Sequence, residues 1–353
     1  MSGKWILIVV ALGPIPGSAM ADQAWREQSR RVEPADGVTL LVVDNARGRI
    51  DVRPSADGKL HITALKVARA ASQSEAQKVA RTASVEIQRE GARYTVRVKY
   101  PRKESVRVNF WEGFDLSVPR LEVQLAVEVP PTMAIQLNAS SGDLYTQDLH
   151  GQQRLRASSG DISVDGAWGL VDVATSSGDV ELVDPRSAVV NTSSGDVEIS
   201  GSPNALAVST SSGDVEVDDV SDSLRIETTS GDVSIENAAR GGTVSTNSGE
   251  VSIRSISGRF SVTTVSGEIR TRIIAPLQEA SFATSSGDIR LGIDSKVACR
   301  VEMRTTSGSL DLSVPVRTQT LTRRLVTGVI RDGVAPLRLR STSGSIALVS
   351  GEP

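Results

Sequence analysis

Nine acidic residues each follow a glycine at nearly equal intervals: Asp143, Asp161, Asp179, Asp196, Asp214, Asp232, Glu250, Glu268 and Asp288. In any repeating fold such spacing sets the carboxylates in single file. Two charges one strand apart, about 4.8 Å, repel by roughly 0.9 kcal/mol in water, so something must offset the file. Turn amides or Ser and Thr hydroxyls could do so by donating to each carboxylate, a role Asp fills well beside glycine. Calcium is the alternative, with Asp143, Asp161, Asp179, Asp196, Asp214 and Asp232 as the candidate ligands, because carboxylates at strand corners suit hard cations. Calcium-binding β-rolls, however, carry acids in both halves of a glycine-rich nonapeptide, and here the second half lacks them. A catalytic acid pair needs neighbouring carboxyls held in different protonation states, whereas this file repeats one environment. The hydrogen-bonding reading is preferred, with no cofactor expected.

Phe110, Trp111 and Phe114 gather three of the chain's eleven aromatic residues in a polar stretch. Rings presented by a loop would contact a partner or a glycan; the competing reading, preferred here, is a plug for the end of the fold. Cys299 shares an alternating apolar phase with Val297, Val301 and Met303, which predicts a buried, inert thiol. His61 and His150 are far apart and have no nucleophile signature near them. With one cysteine and two histidines, an intrachain disulfide is impossible and a Cys/His zinc site nearly so.

These residues are positioned by a repeat. Ser-Gly-Asp or a near variant places glycines at Gly142, Gly160, Gly178, Gly195, Gly213, Gly231, Gly249, Gly267, Gly287, Gly308 and Gly344, in steps of 18, 18, 17, 18, 18, 18, 18, 20, 21 and 36. Residues alternate in phase on both sides of each glycine, so both arms read as strands. The inward phase of the first arm is Leu224, Ile226, Thr228 and Ser230, matched by Leu206, Val208, Thr210 and Ser212 and by Phe260, Val262, Thr264 and Ser266. After the corner it is Val233 and Ile235, matched by Val215 and Val217. Second corners at Gly166, Asp184, Gly201 and Asp218 carry turn chemistry. A unit this short cannot bury its apolar face alone and must stack on copies of itself, each coil bonding to the next. The fold class is therefore all-β: a β-solenoid, or parallel β-helix, of about 18-residue coils.

Before the repeat, residues 40–52 have the same strand, glycine, strand form and read as an early coil. Ser72 and Glu75 form a capping box that opens one short helix to about Ala83. Strands follow at residues 85–89, 94–100 and 121–129. The predicted organisation is a signal peptide over residues 1–21, an N-terminal capping part over 22–137, and the repeat solenoid over 138–353 with a capping insertion at 315–337. Such caps cover strand edges that would otherwise invite aggregation.

The leader reading rests on Lys4, an apolar run from Trp5, and small residues at Ala19 and Ala21, which predict cleavage after Ala21. The run is short of the roughly 20 residues that span a bilayer, and Pro14 and Pro16 interrupt it. No later segment is apolar enough to cross as a helix. The chain has 353 residues and a formal charge of −3, so overall charge does not suggest nucleic-acid binding. Charge is nevertheless segregated: residues 22–141 hold 19 basic and 15 acidic groups, residues 142–250 hold 5 and 19, and residues 251–353 hold 14 and 8.

The Ser-Ser-Gly-Asp-Val units at residues 176–180, 193–197 and 211–215, the segment from Asn45 to Val52, the Val129–Pro130 step and the closing coil from Thr342 to Ile346 resemble the bacterial putative adhesin family. This is a family of β-strand repeats akin to head-domain adhesins. The resemblance implies an exported β-solenoid of the bacterial envelope and brings no catalytic residues. The expected function is a structural or interaction module without catalysis, periplasmic or at the cell surface, whose partner is an envelope protein or polysaccharide. A calcium-stabilised adhesive rod is the first alternative, and a polysaccharide-active enzyme on a β-helix the second.

Overall fold

The computed structural model describes residues 6–9, 23–101, 120–202 and 204–353. They are nearly all strand, with one helix among them. Two compact units are present, Met1–Ser163 and Val164–Pro353.

In the second unit the coils stack in parallel, as the period requires. Leu206 pairs with Leu224, Val208 with Ile226 and Thr210 with Thr228, while Val215 pairs with Val233 and Val217 with Ile235. Like residues lie over like, and the inward columns are closed to solvent: Val208, Ile226, Val244, Val262, Phe282, Leu339 and Met303 are all buried. Size is balanced between layers. Phe260 lies between Gly242 and Ala280, and a Cβ at residue 242 would come 2.9 Å from the Phe260 ring. The threonine column from Thr210 through Thr284 to Thr305 is buried too, and Thr246 and Thr305 hydroxyls donate to the corner carbonyls of Ser248 and Gly344. Ser212, Ser230 and Ser266 are exposed instead of inward, because the chain has begun its corner one residue before the glycine.

The corners explain the residue types. Gly213 has φ +137°, and a Cβ there would sit 2.2 Å from the Gly195 carbonyl oxygen. Layers at strand spacing leave no room for a side chain that points along the stack. At the second corner a left-handed residue recurs in register: Gly166, Asp184, Gly201 and Asp219, with φ of 66°, 48°, 62° and 55°. Gly and Asp are the types that adopt this conformation at low cost.

The period predicts layers in chain order, and the structure departs from this at the end. Strand Ala335–Ser343 pairs with Ile269–Ser286 on one side and Cys299–Ser307 on the other. Ile346–Ser350 likewise lies between Ile289–Ile293 and Leu310–Leu312. The spatial sequence of corner glycines is Gly287, Gly344, Gly308. The last coil of the chain is an interior layer. Segment 315–337 supplies the route back: strand Leu325–Ile330 runs antiparallel on Cys299–Ser307, and Arg317–Leu321 antiparallel on it. Leu310–Leu312 is three residues long with only half-buried leucines, whereas Ile346 and Leu348 are fully buried, so the better-filled coil takes the inner place.

The first unit uses the same device. The coil of strands Leu40–Arg47 and Ile50–Pro54 is covered on one side by Arg93–Lys99 and Arg120–Val129, and on the other by Ala134–Ser141 and Leu144–Leu149. Outside Arg120–Val129 the sheet continues antiparallel through Leu60–Ala70 and Gln23–Glu33, to which Ile6–Val9 pairs. Ser84–Glu90 pairs antiparallel with Arg93–Lys99. The helix Gln73–Thr82 begins as its capping residues predict, with the Ser72 hydroxyl accepting from the Glu75 amide, and it packs Ala76 and Ala80 against Leu60–Ala70 and Gln23–Glu33.

Candidate functional site

The acidic file forms a ladder within each unit. In the second unit the Asp179 carboxylate accepts from the Asp196 amide at 3.0 Å, Asp196 from Asp214 at 2.9 Å, Asp214 from Asp232 at 2.8 Å and Asp232 from Glu250 at 2.7 Å. Asp288 accepts from the Ser345 amide at 2.8 Å, which again marks the inserted layer. In the first unit Asp143 accepts from Asp161 at 3.2 Å. Each charge thus meets an N–H dipole of the next layer, which stabilises the carboxylate and offsets the repulsion along the file. Among the described residues, no three His, Cys, Asp or Glu side chains gather into a group that could hold a metal ion.

The ladder changes character where Asp gives way to Glu. Arg270 bridges Glu250 at 2.5 Å and Glu268 at 2.8 Å, and Arg290 lies 3.5 Å from Glu268. The longer acid reaches sideways to a guanidinium two residues after the corner. This arginine pair was not foreseen, although two successive Asp-to-Glu changes with arginine at residues 270 and 290 are legible signals.

A polar plug in the first unit was also not foreseen. Asn45 is buried and its amide donates to the carbonyls of Gly48 at 3.1 Å and Val123 at 2.7 Å. The Tyr100 hydroxyl meets Asn45 Oδ1 at 2.7 Å and the Val123 amide at 3.2 Å. These groups satisfy corner carbonyls in a layer that lacks a Ser-Gly-Asp turn of its own. Burial pushes the Tyr100 phenol up to about 12.

Burial pushes the Cys299 thiol up to about 11, and the residue is fully enclosed, as expected of an inert thiol. His61 bonds to Asp57 at 2.8 Å and to Arg30 at 3.1 Å, and its hydrogen bond holds the Asp57 carboxyl below its ordinary value. Phe110, Trp111 and Phe114 lie outside the described residues, as does the cleavage point after Ala21.

The stacked coils, their Ser-Gly-Asp corners and the two-sided columns agree with a family profile, Toastrack DUF4097, which matches residues 38–240 and again 187–349. The chain belongs to the Toastrack DUF4097 family. The Toastrack domain is a β-solenoid, and the two overlapping matches follow its internal repeat. No curated protein matches the sequence. Solved structures similar to this Toastrack chain include a putative cell adhesion protein from Clostridium sporogenes, at 7% identity and TM-score 0.24, covering 92% of this chain and 100% of that one. A putative adhesin from Parabacteroides merdae has 12% identity and TM-score 0.28 over 91% and 96%. A putative lipid binding protein from Parabacteroides distasonis has 14% identity and TM-score 0.22 over 92% and 97%. Among the described residues, no helix of this Toastrack chain is long and apolar enough to cross a membrane.

Proposed function

We propose that this chain is an exported, non-catalytic interaction module of the bacterial envelope, working in the periplasm or at the cell surface. The observation that carries the reading is the uniformity of the acidic ladder. From Asp179 to Asp232 every carboxylate has the same partner, an amide one layer on. General acid–base chemistry on glycans needs two carboxyls in unlike environments, and a ladder of equivalent ones offers a repeating surface instead.

The partner in this reading is an envelope protein or polysaccharide, for which Phe110, Trp111 and Phe114 are the candidate contacts, with a plug for the end of the fold as their competing role. Export follows from the leader, with Lys4, the apolar run and Ala19 and Ala21 directing removal of residues 1–21. Cell fractionation with N-terminal sequencing tests export: the expected mature chain begins at Asp22 outside the cytoplasm. Retention of the purified protein on envelope fractions tests interaction, and Trp111→Ala is expected to lower it. An intact Met1 terminus in the cytoplasm, with no retention, would overturn the reading.

A further inference from the structure

We propose that the outer face of the closing layers in the second unit is a binding groove for an acidic polysaccharide, with Arg304 and Arg340 gripping uronate carboxylates. The groove holds about 400 Å³ and its lining beside the arginines is small and hydroxyl-rich, with Thr263, Ala283, Ser285, Thr306 and Thr342. Register places the arginines. Thr263 pairs with Ala283, Ala283 with Arg340, and Arg340 with Arg304. One outward column therefore changes from short residues to two long cations in adjacent layers, and that step in height makes the concavity.

Two like charges directly opposite on neighbouring strands destabilise a sheet, and only one member of this pair has an acidic partner. Arg340 reaches Glu302 at 3.4 Å, and Arg338 reaches Glu279 at 3.0 Å. Among the described residues Arg304 has no acidic partner, nor have Arg323 and Arg324, which are exposed in the turn whose Arg324 carbonyl accepts from the Thr305 amide at 3.1 Å. The cationic end of this face thus has guanidinium groups in excess over carboxylates, ready for fork-shaped pairing with an anion.

The lining selects among anions. No aromatic ring is present to stack a base, as single-stranded nucleic acid binding uses. The lining residues are polar or small, whereas a lipid surface is entered by a continuous apolar face. Ser285, Thr342 and Thr306 instead set one hydroxyl per layer, about 4.8 Å apart, beside the two guanidinium groups, and a uronate chain offers both hydroxyls and a carboxylate on every residue. This inference rests on the reading of the chain as an interaction module for its biological setting only; the groove is tested on the purified protein.

The probe is polygalacturonate, titrated calorimetrically into the full chain at low salt beside neutral dextran. Polygalacturonate is expected to bind and dextran not. The double variant Arg304→Ala, Arg340→Ala should weaken binding about tenfold or more, and Arg304→Gln alone about threefold. The charge-matched control Arg254→Ala, Lys296→Ala, placed away from the groove, should change it less than about twofold. Arg304→Gln removes no ion pair of the fold, so it reports even if the double variant is unstable. Equal affinity of wild type and Arg304→Gln would overturn the proposal, as would equal weakening by the control. Phosphatidylglycerol vesicles bound as tightly as polygalacturonate, and lost with the same variants, would also overturn it in favour of a membrane. Absence of polygalacturonate binding ends this proposal while leaving the export and retention tests untouched.

Discussion

The regular coils of residues 180–256 and the closing layers of residues 269–350 use the same columns but not the same logic of contact. In the coils each layer bonds to its neighbour in sequence, as Asp196 does to Asp214, 18 residues apart. In the closing layers Asp288 bonds to Ser345, 57 residues away. The first arrangement is local and can grow from any point; the second must wait for the chain to return and fill a gap. A repeat protein thereby acquires an end that cannot fray residue by residue, because its last strand is held on both sides.

That contrast can be broken most severely by deletion. Removing residues 335–353 withdraws an interior layer with Leu337, Leu339, Ile346 and Leu348, all fully buried. At about 1.5–3 kcal/mol per side chain the loss is on the order of 6–12 kcal/mol. Urea denaturation should show the closing end unfolded while the regular coils retain their own transition; a single unchanged transition would show that the inserted layer is not a support.

Next in size is the corner. Gly213→Ala forces a Cβ onto the Gly195 carbonyl at a left-handed φ, and is expected to destabilise by about 2–4 kcal/mol in thermal or chemical melts. An alanine tolerated there would mean that the layers can separate.

The ladder should contribute less. Asp214→Ala removes the acceptor for the Asp232 amide and should cost about 1 kcal/mol, while Asp214→Asn keeps an acceptor and relieves repulsion, so its melt should match wild type. A chelator is expected to leave the midpoint of either protein where it was; a fall on chelation would reinstate calcium on the file.

The smallest effect is at Asp218, whose carboxyl is held above its ordinary value first by desolvation and then by Glu236, Glu216 and Asp219. An acid with a raised folded-state pKa opposes folding while ionised, and that penalty fades as pH falls through the raised value. Asp218→Asn should therefore melt about 1–2 °C above wild type at neutral pH, with the two curves converging in acid. A gap that widens in acid would reverse the sign.

Much of the fold was legible because its information is periodic. The inward columns could be assigned from alternation alone, since a parallel stack repeats the same environment at every coil; the helix could be placed because Ser72 and Glu75 are a local signal. The serines at Ser212 and Ser230 were read as inward because alternation does not register where a corner begins. The polar plug of Asn45 and Tyr100 was hidden by its separation of 55 residues. The bridge of Arg270 to Glu250 spans layers and shows only once register is known.

By itself the sequence determined the coil, its width, the apolar columns that face inward, and a glycine at each first corner with an acid after most of them, because all of these follow from forces acting within one repeat or between like repeats. It did not determine which layer lies next to which at the ends. Every coil presents nearly the same edge, so a pattern of residues ranks the neighbours equally. Only the tertiary structure chose, setting the well-filled Ile346 and Leu348 inside and the short strand Leu310–Leu312 outside, where the hairpin of residues 317–330 covers the adjoining strand Cys299–Ser307.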